Sequence, residues 1–384
     1  METQNVFDVK SVYIHWPFCP YKCSFCPFVA FSKFDRYMQE YQDALKLEIL
    51  KFNQEANFKS ALRTIYLGGG TPSTWPDELL LDMCGILKSK FDLSGLVEFT
   101  IEVNPGTVRQ EQLALWKKSG ITRLSIGVQS LNDAVLSKLN RHQKADDVRK
   151  LMVWAQGMFT SLSVDLIIGL PEISPEEWKK QVEEIMNWPI QHISMYFLSM
   201  HEGTGLYFKV QRNAVILPSD DDVVELYYWT VAKFKEHGFM QYEISSFAKP
   251  GYESQHNQAY WSRDVYKGFG VGAWSFDGKV RFQNEKKLLP YIDAQMQGCD
   301  ATAYKEILTD DNVRFERIML GLRSLKGVGI AQAIDGLQEN KKQLFFEKVI
   351  LLKEKGFITQ EIDTIFLTPA AFSVENEVAV MLAV

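Results

Sequence analysis

Long hydrophobic runs, extended runs of one charge and abundant cysteine are all missing from this sequence of 384 residues. No apolar stretch reaches the roughly eighteen residues that a membrane-spanning helix needs. The first residues contain neither a basic segment nor an apolar one, so a secretory signal is not expected. The formal net charge is −6 and no basic stripe stands out, which argues against a nucleic-acid-binding surface. These absences predict a globular protein of the cytoplasm.

Cysteine is scarce but clustered. Of five cysteines, three fall within the segment CPYKCSFC, as Cys19, Cys23 and Cys26. Five cysteines in so long a chain do not suit a disulfide framework, and a reducing compartment is the better expectation. Cys84, in a predicted amphipathic helix, and Cys299 are expected to be structural.

The first half of the chain alternates between strand-like and helix-like periods. Predicted strands cover residues 11–16, 64–67, 96–103, 121–130, 161–171 and 192–199, with helical sequence between them. Gly120 is expected to end one of these helices, and Ser174 to begin another with a capping box. Six such units predict a parallel sheet, either open and doubly wound or rolled into a closed or partial barrel.

Polar and glycine residues at the strand ends favour the barrel. They lie at or just beyond the C-terminal ends of five different predicted strands, as Cys19, Gly70, Glu102, Gln129 and Asp165. A barrel assembles its site from nearly every strand at this end, whereas an open sheet binds ligands at one switch point. We therefore predict an α/β fold with a partial (β/α)6 barrel. The predicted parts are the barrel at 1–240, an extension at 241–300, and a small C-terminal α+β, winged-helix-like domain at 301–384.

The three clustered cysteines are enough to hold a metal centre, but a fourth ligand would be needed to complete its coordination. A structural zinc site would need a fourth Cys or His at comparable spacing, and none follows. His15 is separated from Cys19 by about 13 Å of extended chain. A [4Fe–4S] cluster needs only three cysteines when its fourth iron takes another ligand. Three free thiols on a loop are the remaining alternative, although free cysteines rarely crowd in this way.

The C-x3-C-x2-C loop after a first strand resembles the radical S-adenosylmethionine (SAM) superfamily. The resemblance implies that SAM chelates the open iron and that the reduced cluster splits it into methionine and a 5′-deoxyadenosyl radical. In GGGTP (68–72), backbone N–H groups are expected to approach SAM where a Cβ would collide. By the same resemblance, the cluster ligands are Cys19, Cys23 and Cys26, and the SAM-binding residues are Tyr13, Phe25, Gly69, Gly70, Thr71, Glu102, Gln129, Arg141 and Asp165.

Nearly the whole chain is similar to the HemN/HemW group of oxygen-independent coproporphyrinogen III oxidases and heme chaperones. Three features favour the chaperone branch. About ten residues precede the first strand, where oxidases usually have a long extension, and Phe28 stands where they usually have a further cysteine. HNQAYW (256–261) matches the HNxxYW motif associated with heme binding, and His256 is the candidate heme contact. Pro27 and Trp274 depart from the Asp and His that are usual in this branch.

The resemblance implies a heme-binding protein that delivers heme to apo-hemoproteins, with the cluster and SAM controlling binding or assembly. Slow reductive cleavage of SAM is left open. The alternatives are oxidative decarboxylation of coproporphyrinogen III propionates and radical opening of the heme ring. The expected partners are heme, apo-hemoprotein recipients, and a flavodoxin or ferredoxin as electron donor. No nucleic acid is expected, and a homodimer is left open.

Overall fold

The computed structural model describes residues 9–55 and 61–384, so residues 1–8 at the start of the predicted barrel lie outside it. Its strands are β1 Ser11–Trp16, β2 Phe18–Cys19, β3 Phe31–Ser32, β4 Thr64–Gly69, β5 Glu98–Val103, β6 Arg123–Gln129, β7 Ser161–Ile168, β8 His192–Phe197, β9 Met240–Glu243, β10 Ser246–Ala248, β11 Tyr266–Phe269, β12 Trp274–Phe276, β13 Val280–Asn284, β14 Thr302–Ile307, β15 Val328–Gly329, β16 Ile358–Glu361 and β17 Thr364–Leu367.

The helices alternate with these strands in the first half of the chain and dominate its last quarter. They are α1 Met38–Glu55, α2 Asp77–Lys90, α3 Gln110–Ser119, α4 Asp133–Lys138, α5 Ala145–Ala155, α6 Pro175–Ile185, α7 Gly205–Gln211, α8 Asp220–Glu236, α9 Gln255–Trp261, α10 Leu288–Met296, α11 Asp310–Arg323, α12 Ile330–Ala333, α13 Glu339–Glu354 and α14 Glu375–Leu382. Two predicted helix ends are confirmed: Gly120 closes α3 in the left-handed conformation, and the Ser174 side chain accepts a hydrogen bond from the Glu177 N–H.

One large sheet organises the fold. Its strand order is β14-β13-β12-β11-β1-β4-β5-β6-β7-β8-β10-β9. The seven strands from β11 to β8 in this order are parallel. The two edges, β14 and β9, are not paired with each other in the part of the chain described. The predicted α/β fold with an open parallel barrel is therefore confirmed.

A seventh parallel strand, β11, joins the six that the sequence predicts. It pairs with β1 from Ser11↔Tyr266 to Ile14↔Phe269. This strand lies in the predicted extension at 241–300, where no strand is predicted because four residues carry little periodic signal. Its Gly268 is required by packing, since a Cβ there would meet the Trp274 carbonyl oxygen at 2.1 Å.

The strands bury opposite kinds of residue on their two faces. One face is aliphatic and belongs to the main hydrophobic cluster with the helices; in β4 and β6 it includes Ile65, Leu67, Leu124 and Ile126. Alternate positions on the other face are polar or aromatic through six strands. This set is Ser11, Tyr13 and His15; Thr64 and Tyr66; Glu98, Thr100 and Glu102; Arg123 and Ser125; Ser161, Ser163 and Asp165; and His192, Ser194 and Tyr196. Since side chains alternate along a strand, the inside of the barrel is polar from end to end.

Residues 242–260 close the end of the barrel at which the parallel strands begin. The Tyr242 hydroxyl lies 2.7 Å from His192 Nε2, and His256 Nδ1 lies 2.8 Å from Thr64 Oγ1. Glu98 accepts hydrogen bonds from the first backbone N–H groups of α9. The cluster loop therefore lies at the opposite end, where the strands finish.

A separate hydrophobic cluster holds the C-terminal region together. It combines α11 to α14 with the antiparallel strands β15, β17 and β16, and Ile244 is the residue it takes from outside that region. The division at residues 240 and 300 stays a prediction, and the large sheet runs through both positions, from β9 to β14. In the described residues, no helix is both long and apolar enough to cross a membrane.

Candidate cluster and nucleotide site

A cavity of about 450 Å³ opens at the C-terminal ends of the parallel strands. Its walls come from the cysteine loop and from β4 to β8. Of the predicted site residues it brings together Cys19, Cys23, Cys26, Phe25, Gly69, Gly70, Thr71, Glu102, Gln129, Arg141 and Asp165. Tyr13 and His256 are not among its lining residues. Tyr13 lies one layer behind the wall, with its ring 6.1 Å from that of Tyr66.

The three clustered cysteines are half-buried free thiols around this cavity. Cys19 Sγ lies 3.1 Å from Thr71 Oγ1, and Arg141 Nη1 lies 3.7 Å from Cys23 Sγ. Burial, with a smaller contribution from the neighbouring thiols, raises the pKa of Cys19 to about 11. A cysteine thiol must lose its proton to bind a metal. A cationic metal centre and the Arg141 guanidinium would stabilise the thiolates that result.

The donor set fits a cluster better than a single ion. Within residues 9–55 and 61–384, no three His, Cys, Asp or Glu side chains converge as ligands of one metal ion. An iron–sulfur cubane is larger than one ion and holds its cysteines further apart. Three soft sulfur ligands with no fourth protein ligand nearby match a cubane that has one open iron.

Two half-buried carboxyl groups face the cavity. Glu102 accepts hydrogen bonds from the Gly69 N–H and the Tyr66 hydroxyl, each at 3.0 Å, and burial raises its pKa to about 7. The Ser125 hydroxyl donates to Asp165 at 3.2 Å, and burial also raises the pKa of Asp165. Carboxyl groups of this kind can bind the hydroxyl and amino groups of a nucleoside.

The glycines of GGGTP are explained by packing inside the protein. A Cβ on Gly68 would lie 2.8 Å from the Tyr13 ring, and one on Gly70 would lie 2.7 Å from the Pro17 carbonyl carbon. Gly69 has a φ of +116°, a region that L-residues avoid. The close approach of these glycines to a ligand stays a prediction, and the atoms that a Cβ would meet inside the protein come mainly from β1 and the residues just after it.

In the part of the chain that the structure describes, Arg141 has an unpaired donor, and Gln129 has an unusual backbone conformation. Arg141 donates to the Gly127 carbonyl, but its Nε is buried without a hydrogen-bond partner among the described residues. Gln129 has a φ of 67° and follows a bulge between β6 and β7. Such strain is a feature of functional sites, and an unpaired guanidinium N–H fits a ligand that carries a carboxylate.

Several cavity residues are not predicted from the sequence. They include Tyr66, Asn104, Ser125, Ser194, Tyr196 and Asn257. Tyr66 hydrogen-bonds Glu102, and Asn104 donates from Nδ2 to the Tyr21 hydroxyl at 2.7 Å. The alternation of polar residues along β4 to β8 is the signal that identifies the strand residues in this set. Asn257 carries no comparable signal, because it reaches the cavity from α9 at the other end of the barrel.

His256 is enclosed at the closed end of the barrel and is 1% exposed. Thr64 Oγ1 donates to Ser11, so it accepts from His256 Nδ1, and His256 Nε2 then accepts from the Tyr260 hydroxyl at 2.7 Å. Burial lowers the pKa of His256 to about 3, which keeps the ring neutral. A direct heme contact by His256 stays a prediction, and this arrangement does not favour it because both ring nitrogens are already engaged.

Comparisons with known proteins agree with this geometry. The family model of the Radical SAM superfamily matches residues 13–185. The heme chaperone HemW of Bacillus subtilis is 34% identical over 96% of this chain and 98% of its own length. The heme chaperone HemW of Synechocystis is 32% identical over 90% of this chain and 85% of its own. Coproporphyrinogen III oxidase (HemN) from Escherichia coli, described as a radical SAM enzyme, superposes with a TM-score of 0.86 over 99% of this chain and 92% of its own, at 23% identity.

The solved structure shows the fold, and the curated relatives show the family. A [4Fe–4S] cluster and SAM are the cofactors that this superfamily implies, and the cysteine loop with its cavity fits both. The chain belongs to the HemW family of the radical SAM superfamily.

Proposed function

We propose that the protein is a heme chaperone, which binds heme, holds a [4Fe–4S] cluster with SAM, and delivers heme to apo-hemoproteins. The observation that carries the proposal is the similarity to HemW proteins along almost the entire chain, at 34% identity to the Bacillus subtilis protein. Because this similarity also covers 98% of that relative, no large part of the relative lacks a counterpart here.

The residues that would hold the cofactors are those of the cavity. Cys19, Cys23 and Cys26 would bind the cluster, with Thr71 and Arg141 beside two of the sulfurs. When bound, the cluster and SAM together supply one-electron chemistry at the sulfonium. The chain itself contributes positioning, a partly buried environment, and two carboxyl groups, Glu102 and Asp165. Burial raises the pKa of both, and the pKa of Glu102, at about 7, leaves that group partly protonated near neutral pH.

A volume of about 450 Å³ lies in the lower part of the roughly 300–1,000 Å³ range of small-molecule sites, which suits a nucleoside. The likeness to HemN shows the fold and is compatible with either the chaperone or the oxidase activity.

The decisive experiment combines heme transfer with a turnover assay on anaerobically reconstituted protein. Hemin should bind and then pass to an apo-hemoprotein acceptor faster than from free solution. Coproporphyrinogen III, offered with SAM and a reductant, should remain unchanged. A decarboxylated product would establish the oxidase instead, and loss of the heme absorption with a linear tetrapyrrole product would establish ring opening.

The recipients and the electron donor belong to the same proposal. An apo-hemoprotein is the expected recipient, a flavodoxin or ferredoxin the expected donor, and a homodimer the expected assembly if the protein is not a monomer. Analytical ultracentrifugation with and without SAM would measure the assembly state directly.

A further inference from the structure

A second and larger cavity, of about 890 Å³, lies at the end of the barrel away from the cysteine loop. Tyr242 and Gln255 are part of its wall. The same two residues hydrogen-bond His192 and Glu98, which begin β8 and β5. The opposite wall belongs to the C-terminal region, between Arg317 and Gln332. No residue lines both this space and the cluster cavity, so the two are separate.

Part of the wall of the second cavity is flat and apolar. Trp261 lines it together with Leu320 and Leu325. The Arg323 guanidinium lies over the Trp261 ring, 4.6 Å from its centre. The Trp261 Nε1 atom is buried and has no hydrogen-bond partner among the described residues. An indole fixed in this way offers a face for stacking.

The charge on this wall is positive. Arg263, Arg317 and Lys326 line the cavity, whereas Glu253 is its one acidic residue among those described. Arg317 also pairs with Asp335 at 3.0 Å, an exposed side chain that is not part of the wall. Arg263 Nε donates to Glu316 at 2.9 Å, but its Nη2 is buried without a partner in the described residues. Lys326 reaches the Gln258 amide oxygen at 3.0 Å, a neutral partner that leaves its charge uncompensated. The wall therefore suits a ligand with more than one anionic group.

The wall offers no strong ligand for iron. Its described residues include no His, Cys or Met. The Tyr242 hydroxyl is engaged by His192 and by the Ser254 N–H, and burial raises its pKa to about 12. A ligand in this space would be held by its face and its acidic groups, without a bond from the protein to a metal at its centre.

We propose that the second cavity is the binding site for a planar macrocycle that carries two carboxylates. Trp261, Leu320 and Leu325 contact the ring, and Arg263, Arg317 and Lys326 bind the carboxylates. The proposal rests on the proposed function, which supplies the tetrapyrrole as the ligand class. It places the heme at the end of the barrel away from the cluster and assigns no axial ligand to His256.

The test is a titration of the full-length, cluster-reconstituted protein with three macrocycles. Hemin and iron-free protoporphyrin IX should bind with affinities within about threefold of each other, because the iron takes no protein ligand. The dimethyl ester of protoporphyrin IX should bind at least tenfold more weakly, because its carboxylates are blocked. Hemin that binds at least tenfold more tightly than protoporphyrin IX would overturn the proposal.

Two variants locate the site. The charge reversal Arg317→Glu with Lys326→Glu should weaken hemin binding at least tenfold, and Leu320→Trp, which fills the cavity, should do the same by a different route. The matched control is Lys341→Glu with Lys355→Glu, an equal charge change at exposed positions outside the cavity wall. It should bind hemin like the wild type.

The outcomes separate this proposal from the function on which it rests. Circular dichroism, iron content and the SAM-induced change of the cluster spectrum establish that each variant is folded and that the cluster cavity is intact. Wild-type hemin affinity in both intact cavity variants would place the macrocycle elsewhere and leave the chaperone function standing. No hemin binding by the wild type would reject the proposed function itself.

Discussion

Glu98 connects the first residue of β5 to α9, and its removal should destabilise both. Its carboxylate is 6% exposed. It accepts hydrogen bonds from the backbone N–H of Gln255 at 2.9 Å and of His256 at 3.2 Å, and from the hydroxyl of Thr100 at 3.2 Å. Arg123 is buried nearby, and Glu98 is the largest favourable influence on its charged form. The variant Glu98→Ala takes away the acceptor and the compensating charge together.

The cost follows from these contacts. Each backbone N–H that loses its acceptor costs about 1–3 kcal/mol, and Glu98 accepts from two of them. Arg123 also loses the largest favourable charge in its surroundings, although it forms no direct ion pair with Glu98. The two costs overlap in one carboxylate, so Glu98→Ala should lower the free energy of unfolding by about 4 kcal/mol. Glu98→Gln keeps one acceptor oxygen but points an NH₂ group at the other N–H, and we expect about half that loss.

Urea denaturation at pH 7, followed by far-ultraviolet circular dichroism, measures these differences. The control is Glu183→Ala at an exposed position of α6, which should change stability by less than about 0.5 kcal/mol. Hydrogen exchange at the α9 amides should also speed up in Glu98→Ala, because the helix loses its N-terminal anchor. A loss below about 1 kcal/mol with unchanged exchange in α9 would refute this account of Glu98.

Three further predictions concern the cluster end, the glycine turn and the buried histidine. Cys23→Ala should abolish cluster reconstitution, measured as iron and sulfide content, whereas Cys299→Ala at an exposed position should leave both unchanged. Gly70→Ala should cost more than about 2 kcal/mol because its Cβ meets backbone at 2.7 Å, while Gly85→Ala, with open space inside a helix, should stabilise by up to about 1 kcal/mol; urea denaturation compares them. His256 stays neutral in the folded protein, and the unfolded chain takes up a proton below about pH 6.5. Stability from this residue is therefore complete above that pH and falls as the pH drops toward 3. Between pH 7 and 5 the wild type should lose about 2 kcal/mol more than His256→Gln, and equal losses would contradict the lowered pKa.

The alternating pattern of the first half of the chain was sufficient to predict the parallel sheet, and the polar residues at the strand ends favoured a barrel. The strand predicted at residues 11–16 is β1 as observed, and each of the other five overlaps an observed strand. The reason is physical. Every strand of a parallel sheet covered by helices needs an aliphatic face, and every helix needs an apolar stripe. The spacing of apolar residues in the sequence therefore shows both the strand period and the helix period. Glu102, Gln129 and Asp165 could be predicted to lie in one site because parallel strands end at the same edge of the sheet.

What the sequence did not reveal depends on contacts between distant segments. Strand β11 has four residues and pairs with β1, about 250 positions earlier, so no local pattern indicates it. The closed end of the barrel is made by residues 242–260, whose partners Thr64, Glu98 and His192 belong to three different strands. Local propensity carries no information about such pairings.

The polar lining of the barrel could have been predicted and was missed. Positions two apart in β5 read Glu98, Thr100 and Glu102, and the residues between them are aromatic or aliphatic. Taken with the same alternation in β7 and β8, this pattern indicates a barrel whose interior is a binding cavity, because a purely structural barrel fills that space with branched aliphatic side chains. It would have identified Tyr66 and Tyr196 as cavity residues.

The HNQAYW segment gains a physical meaning from the helix that it forms. His256 and Tyr260 are four residues apart, so they share a face of α9 and hydrogen-bond each other at the closed end of the barrel. Gln258 and Trp261 are three residues apart and line the second cavity from the same helix. The histidine thus fixes the helix against Thr64, and the tryptophan is the member of the motif that lines the cavity proposed for the macrocycle. A motif of this spacing combines an anchor and a contact residue, and loss of the anchor should weaken binding indirectly, by moving Trp261.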